Sequence, residues 1–386
     1  QDVAWAINAP TKTVSVDAFW MDQTEITNNQ YRQFVYYVRD SIARRLIAEQ
    51  NDEFIIAEDE FGNPIEPPTL NWEVPIDPED EEQREILNSM YYSKEDAFYG
   101  KKELDTRKLF YEYYWIDLKQ AAQKSNRYNY ETLSYDQGEV INSLGEKVKV
   151  DNRQSFIMRD KVNVYPDTLC WIADFTYAFN EPYTASYFWH PAFDNYPVVG
   201  VTWKQASAFC IWRTQLLNKY LAAEGTSIQD YRLPLEAEWE YAARGNLDHS
   251  MYPWGGPYPR NLEGCFLANF KPLRGNYIDD GGLIPIAVGS YEPNDYGLYD
   301  MAGNVSEWTA NAYDESAYSF MHDMNPDYKY NAKPNDLPAM KRKVVRGGSW
   351  KDISFFLQVG QRSYEYQDTA KSYIGFRCVR GYLGAK

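Results

Sequence analysis

Residues 197–245 decide the fold, and they read PVVGVTWKQASAFCIWRTQLLNKYLAAEGTSIQDYRLPLEAEWEYAARG. The apolar run Val198–Val201 predicts a short strand. Thr202 followed by Gln205 predicts a capping box, in which the two side chains bond backbone amides at the start of a helix. A second helix is predicted over Glu236–Arg244, because a glycine, the usual C-terminal stop, follows directly.

Five further blocks flank this stretch. In chain order they are Trp20–Thr27 (WMDQTEIT), Tyr252–Gly255 (YPWG), Tyr296–Trp308 (YGLYDMAGNVSEW), Val345–Trp350 (VRGGSW) and Gly375–Cys378 (GFRC). Together with residues 197–245 they resemble the formylglycine-generating-enzyme (sulfatase-modifying factor) family. The resemblance implies an α+β, loop-rich fold with a C-type-lectin-like architecture. Leu235 stands where the family usually has a threonine cap, so we expect that helix start to lack its usual side-chain acceptor.

The N-terminal part of the chain predicts one strand and one long helix. Residues 14–22 alternate in the manner of a strand. Thr27 and Gln30 form a second capping-box pattern, and apolar residues follow at helical spacing, which predicts a helix over Asn28–Ala48.

Residues 41–196 match no block of the enzyme. We therefore interpret 1–386 as a single domain with its core in 1–40 and 197–386 and an insertion at 41–196. Within the insertion we predict helices over 82–123, a hairpin over 130–150, and strand-like structure over 160–189.

An acidic stretch lies near the start of this insertion. No Lys or Arg occurs between Arg45 and Arg84, and five prolines interrupt any helix there. Two interpretations remain open: a solvated loop, or a docking strand for a partner.

The long helix and the segment 245–282 narrow the resemblance. They are similar to the ring-forming outer-membrane lipoproteins of the type IX secretion and gliding machinery, the PorK/GldK group, with the GldJ lipoproteins as second choice. This resemblance implies a structural subunit on the periplasmic face of the outer membrane that self-associates into a ring. It also implies a PorN/GldN-like periplasmic partner and a lipid anchor that is not present in this chain. We expect the partner contacts within 41–196, at residues not assigned from sequence.

Composition restricts the class of partner. The formal charge of −17 argues against a surface for nucleic-acid phosphates, so no nucleic-acid partner is expected. No run of 18 apolar residues is present, so no membrane span is predicted. The chain begins at Gln1 without the glycine-rich first strand of the family, and we expect a processed or truncated chain. Aromatic residues make up 17% of it, which is typical of half-buried rings with a free polar end.

Catalysis in this family depends on two cysteines that follow a Gly-Gly-Ser motif and bind copper and the substrate thiol. Counted from Gly347–Ser349, the two positions fall on Asp352 and Leu357. Neither side chain supplies a thiolate, so we expect no oxidase activity and no catalytic cofactor. An active oxidase stays an alternative on fold alone, and a carbohydrate- or ligand-binding module is a further alternative.

The resemblance also implies a disulfide. In the enzyme family, the positions that match Cys210 and Cys378 are bonded. The alternative is two buried thiols side by side. Cys170 and Cys265 stay unassigned.

Structural calcium is a further implication of the resemblance. The matching ligands are Asp300, Gly303, Val305 and Glu307, through carbonyls and one carboxylate, which suits calcium. The alternative is that Glu307 caps turn amides. A second, weaker site is expected near Asn269 and Asp280, where the spacing differs from the family's.

Overall fold

The computed structural model describes residues 10–58, 61–135, 138–143, 145–175, 182–272 and 275–384. By its contacts the chain divides into two compact units. Unit 1 comprises Gln1–Tyr31, Tyr113–Asp160 and Pro166–Lys386, and unit 2 comprises Arg32–Glu112 and Lys161–Tyr165. The predicted insertion at 41–196 was defined by resemblance rather than by contacts, and it stays a prediction.

The described helices and strands are short apart from two long helices. The helices are α1 (Asn28–Ala48), α2 (Glu81–Leu87), α3 (Leu118–Ala121), α4 (Cys170–Asp174), α5 (Tyr183–Ser186), α6 (Trp203–Leu221), α7 (Glu236–Arg244) and α8 (Ala317–Phe320). The strands are β1 (Phe19–Met21), β2 (Ile55–Glu58), β3 (Pro64–Leu70), β4 (Phe110–Ile116), β5 (Glu139–Ile141), β6 (Lys147–Lys149), β7 (Ile157–Asn163), β8 (Ser306–Ala312), β9 (Arg342–Arg346), β10 (Ser363–Tyr366), β11 (Ile374–Gly375) and β12 (Val379–Gly381). Among the described residues, no helix has both the length and the apolar character that a membrane crossing needs.

A four-stranded sheet forms the centre of unit 1. Its order is β10-β9-β8-β11, with β8 antiparallel to β9 and parallel to β11. Every residue of β8 is buried. The sheet therefore places the YGLYDMAGNVSEW, VRGGSW and GFRC blocks side by side in the core.

The predicted bounds of α1 and α7 are confirmed, and so is the predicted start of α6. Helix α1 covers the predicted range, and Thr27 and Gln30 bond each other's backbone amides at its start. Helix α6 begins after the predicted capping box at Thr202. Helix α7 ends at Gly245, whose left-handed backbone (φ 57°) forms the stop.

Leu235 provides no side-chain cap for α7, as expected. A residue of the sheet supplies a hydrogen-bond acceptor at the start of this helix instead. The Oδ1 atom of Asn311, in β8, accepts from the amide of Glu236 at 2.8 Å. Glu238 accepts from the amide of Leu235 at 2.7 Å. The first amide of α7, that of Glu236, is thus satisfied by a residue 75 positions away in sequence.

Four predictions of secondary structure are wrong or too long. Residues 198–201 are buried but form no regular strand, because Gly200 has φ 73°. The helical prediction for 82–123 fails at β4, where alternate aromatic side chains are buried on one face. Residues 160–189 contain α4 and α5 besides the end of β7. The predicted strand at 14–22 shortens to β1, and the hairpin in 130–150 is confirmed as β5 and β6.

The acidic stretch is more than a solvated loop, so that interpretation is wrong for part of it. Strands β2 and β3 form an antiparallel hairpin. Phe54 is buried against Ile47 and Ala48 of α1, together with half-buried Val74 and Ile76. The flanks of the hairpin therefore belong to the core of unit 2.

Candidate functional site

A buried ion pair holds the motif blocks of unit 1 together. Glu307 of β8 and Arg377 of the GFRC block are both fully buried, with nitrogen–oxygen distances of 2.6–2.9 Å. Trp239 of α7 donates its indole N–H to Glu307 at 2.8 Å. Arg377 also donates to the carbonyl of Tyr299 at 2.9 Å. Such a pair stabilises the fold only because its remaining donors and acceptors are satisfied.

Glu25 is a second buried carboxylate, and sequence reasoning missed its role. Its two oxygens accept from the side-chain amide of Asn304 at 2.8 Å and from the backbone amide of Val305 at 3.1 Å. Burial raises the pKa of Glu25 well above its usual range, and the negative charges of Asp300 and Glu307 raise it further. The available signal was an acidic residue inside the WMDQTEIT block, directly before the apolar Ile26.

The first predicted calcium set is brought together around the same turn. Asp300 Oδ2 accepts from the amide of Gly289 at 2.7 Å, whereas its buried Oδ1 has no partner among the described residues. Burial raises the pKa of Asp300 to about 6. An added Cβ at Gly303 would lie 2.4 Å from the carbonyl oxygen of Asn269, so only glycine fits there. Glu307 accepts from Arg377 and Trp239 instead of turn amides, so both of its carboxylate oxygens are already engaged.

The two residues of the second predicted set, Asn269 and Asp280, both lie close to Gly282. Asp280 accepts from the amides of Phe270 at 2.5 Å and Gly282 at 3.3 Å. A Cβ on Gly282 would approach Asn269 Oδ1 to 2.8 Å, and that buried oxygen has no partner in the described part of the chain. Burial raises the pKa of Asp280. Within the described ranges, no group of three or more His, Cys, Asp or Glu side chains could hold a metal ion, so carbonyl and amide oxygens would have to complete either site.

The positions predicted to replace the family's cysteines carry no thiol. Ser349 donates its hydroxyl to Asp352 Oδ2 at 2.6 Å, and burial raises the pKa of Asp352. Leu357 is fully buried in an apolar cluster whose other buried members are Tyr252, Ala268, Phe270 and Ala302. The arrangement offers a hydroxyl–carboxyl pair and an apolar wall, which cannot replace a copper-binding thiolate pair.

Cys210 and Cys378 lie next to each other. Their sulfur atoms are 3.3 Å apart, and both are free thiols in this structure. Burial raises the pKa of Cys378 well above its usual range, and the neighbouring Cys210 raises it further. The disulfide stays a prediction. Cys170 is buried and Cys265 is exposed.

Large apolar side chains are exposed within the range predicted to contact a partner. In unit 2 these include Phe61, Phe98 and Tyr99, and the hairpin carries half-exposed Ile56. They are candidate contacts, and the sequence named no residue among them.

Comparison with known proteins identifies the family. The family model described as "Sulfatase-modifying factor enzyme 1-like domain" matches residues 2–382. "Inactive C-alpha-formylglycine-generating enzyme 2" of Bos taurus is 34% identical over 194 residues, which cover 48% of this chain and 50% of that protein. "Formylglycine-generating enzyme" of Mus musculus is 31% identical over 193 residues, 49% of this chain and 45% of that protein.

The solved structure of PvdO from Pseudomonas aeruginosa has 26% sequence identity and a TM-score of 0.36, covering 49% of this chain and 63% of that one. The chain spans about half the length of the curated relatives it matches. One of these relatives is named as an enzyme and one as an inactive enzyme, so their names do not decide the chemistry. The match over residues 2–382 does decide the family: the chain belongs to the sulfatase-modifying factor enzyme 1-like domain family.

Proposed function

We propose that this chain is a non-catalytic structural subunit that uses its fold to present surfaces for assembly. The observation that carries the proposal is the pair Asp352 and Leu357, at the positions that correspond by resemblance to the family's thiols. Asp352 is bonded to Ser349, and Leu357 is fully buried in an apolar cluster. Copper-dependent oxidation of a cysteine needs thiolate ligands, which neither residue supplies.

The proposed assembly is a ring on the periplasmic face of the outer membrane, formed with a PorN/GldN-like partner. Support comes from the resemblance of α1 to the PorK/GldK lipoproteins and from the surface of unit 2. Exposed Phe61, Phe98 and Tyr99 are of the residue type that anchors interfaces. Exposed carboxylates on the hairpin and on α2 would steer a basic partner surface, so association would depend on salt.

Structural calcium is a further part of the proposal. Asn269 Oδ1 and Asp300 Oδ1 are buried oxygens without a partner in the described chain, and unsatisfied buried oxygens of this kind fit a hard cation. Asp280 would add a buried carboxylate next to Asn269. Glu307 fits least, because it is committed to Arg377. Calcium would fix the turn at residues 300–307 and would supply no chemistry.

The experiment is assembly of the full-length lipidated protein with its periplasmic partner, followed by electron microscopy and native mass measurement. A variant with Glu58, Glu79, Glu82 and Glu85 all changed to Gln should bind the partner at least tenfold more weakly at low salt and show a smaller salt dependence. A matched control changes four exposed acids of unit 1, Asp230→Asn, Glu263→Gln, Asp295→Asn and Glu315→Gln.

Three outcomes would contradict the proposal. Absence of rings with the natural sequence would remove the assembly role, and equal losses in the two variants would remove the role of the acidic surface of unit 2. Oxygen consumption by the natural sequence with copper and a cysteine-containing peptide would remove the non-catalytic part.

A further inference from the structure

Two exposed tyrosines of unit 1 share a hydrogen bond between their hydroxyls. Tyr241 lies on α7 and Tyr296 begins the YGLYDMAGNVSEW block, and the Tyr296 hydroxyl donates to that of Tyr241 at 3.0 Å. The ring centroids are 5.6 Å apart, and the ring planes meet at 37°. Rings that touched only at their hydroxyl tips would have centroids much farther apart, so the two rings converge on the hydrogen bond. A carbon ortho to each hydroxyl therefore lies beside this contact.

The backbone on both sides holds the two rings in this arrangement. Trp239 and Ala242, which flank Tyr241 on α7, are buried in the core, and they fix the face of the helix that presents Tyr241. The side-chain amide of buried Asn294 donates to the carbonyl of Ala242 at 2.7 Å. Its Oδ1 accepts from the backbone amide of Tyr296 at 3.1 Å. One buried side chain therefore ties the turn that carries Tyr296 to the end of α7.

Both rings are open to solvent and carry their protons at neutral pH. Tyr241 is 54% exposed and Tyr296 is 42% exposed, so an oxidant in solution reaches both. The hydrogen bond to Tyr241 and, less strongly, the negative charge of Asp248 raise the pKa of Tyr296 to about 12. Tyr296 is therefore a neutral phenol that keeps donating to Tyr241.

We propose that Tyr241 and Tyr296 form an oxidative modification site, at which a dityrosine bond joins α7 to the turn at residues 294–297. The oxidant is hydrogen peroxide, used by a haem peroxidase that removes one electron at a time. Each phenol loses one electron and one proton, and the two tyrosyl radicals form a carbon–carbon bond between their ortho carbons. The two ortho hydrogens then move to the oxygens and restore the phenols. In balance, two tyrosines and one hydrogen peroxide give one dityrosine and two waters.

This site is separate from the proposed assembly role, and neither depends on the other. The test treats the whole chain with peroxidase and limiting hydrogen peroxide, at a dilution that limits links between molecules. Trypsin then releases residues 233–244, in which Tyr241 is the only tyrosine. We expect this peptide linked to residues 275–329, with dityrosine fluorescence and a mass two hydrogens below the sum of the two peptides. Absence of this link would overturn the proposal, and so would an equal yield from urea-unfolded protein, because the site depends on the folded geometry.

Two variants locate the link. Tyr296→Phe keeps the ring and removes the phenol that is oxidised, so it should lower the yield of the Tyr241 link at least tenfold. Tyr277→Phe is the matched control, because Tyr277 is 40% exposed and belongs to the same tryptic peptide, and it should leave the yield unchanged. Circular dichroism checks that each variant is folded. A link that keeps more than half its yield in folded Tyr296→Phe protein, or that falls equally in both variants, would overturn the assignment.

Discussion

Lys343 shows at the scale of one residue how burial changes chemistry. It lies on β9 and is only 1% exposed. Its ammonium donates to the carbonyl of Tyr330 at 2.5 Å and lies 3.7 Å from the centre of the Trp203 ring. Burial, followed by the nearby positive charges of Lys204 and Lys329, lowers the pKa of Lys343 to about 7.

Stability should therefore depend on pH through this residue. The unfolded chain keeps a proton on Lys343 up to about pH 10.4, whereas the folded chain releases it near 7. Between these values the unfolded state binds more protons, so the free energy of unfolding rises with pH, by up to about 1.4 kcal/mol per unit. Lys343→Met should remove this contribution, and the exposed Lys149→Met should retain it. Urea unfolding at pH 7, 8 and 9 measures the slopes, and equal slopes for natural sequence and Lys343→Met would contradict the prediction.

The partners of single buried polar residues were the hardest feature to predict from the sequence. Asp300 and Asn269 were named through resemblance, and the structure places them near the same turn. Glu25 and the pairing of Arg377 with Glu307 were not predicted, because each partner lies far away in sequence. Arg377 and Glu307 are 70 positions apart, and only the sheet brings them together. No local pattern contains that information.

The start of α7 illustrates how an element obtains its cap from elsewhere. The helix lacks a side-chain acceptor at Leu235 and uses Asn311 of β8 instead. Leu235 is free to be apolar and is buried. The sheet thus fixes where the helix begins.

A double-mutant cycle tests this borrowed cap. Asn311→Ala should lower the free energy of unfolding by about 1–2 kcal/mol, since an N-cap acceptor is lost. Leu235→Thr alone should also destabilise, because it removes buried apolar surface. In the Asn311→Ala background the same change should cost about as much, because a threonine hydroxyl at 235 would accept from the amide of Ala237 or Glu238 and would leave that of Glu236 without its acceptor. Costs in urea unfolding that depart from additivity by more than about 0.5 kcal/mol would contradict this separation of the two acceptors.

Elements defined by local signals were predictable, and elements defined by their neighbours were not. Helices α1, α6 and α7 carry caps, periodicity or a terminal glycine within their own sequence. Strand β4 was mistaken for helix because its aromatic run shows no clear helical or alternating period in the sequence. Pairing with β7 makes this segment a strand. Residues 198–201 looked like a strand, but in the structure they form no regular strand.

At the scale of the whole molecule, Cys210 of α6 lies next to Cys378 of the GFRC block. Their sulfurs are 3.3 Å apart across 168 positions. A bond would restrict the unfolded chain and contribute about 4–5 kcal/mol in the chain-entropy model. We predict that protein from an oxidising compartment, alkylated before denaturation and digested without reductant, yields one peptide pair linked through these residues. Exposed Cys265 is the labelling control. Alkylation of both Cys210 and Cys378 under denaturing, non-reducing conditions would contradict the bond.

Among the described strands, β1 pairs only with β12. The amide of Cys378 bonds to Asp22 across 356 positions. This pairing has a consequence for the order of folding. Within the part of the chain that the structure describes, residues 19–21 have no strand partner until residues 379–381 have been synthesised. Contacts of such long range slow folding, because loop-closure entropy is lost before they form. Until then β1 would lie exposed, and the pairing of β12 with it would be among the last steps of folding.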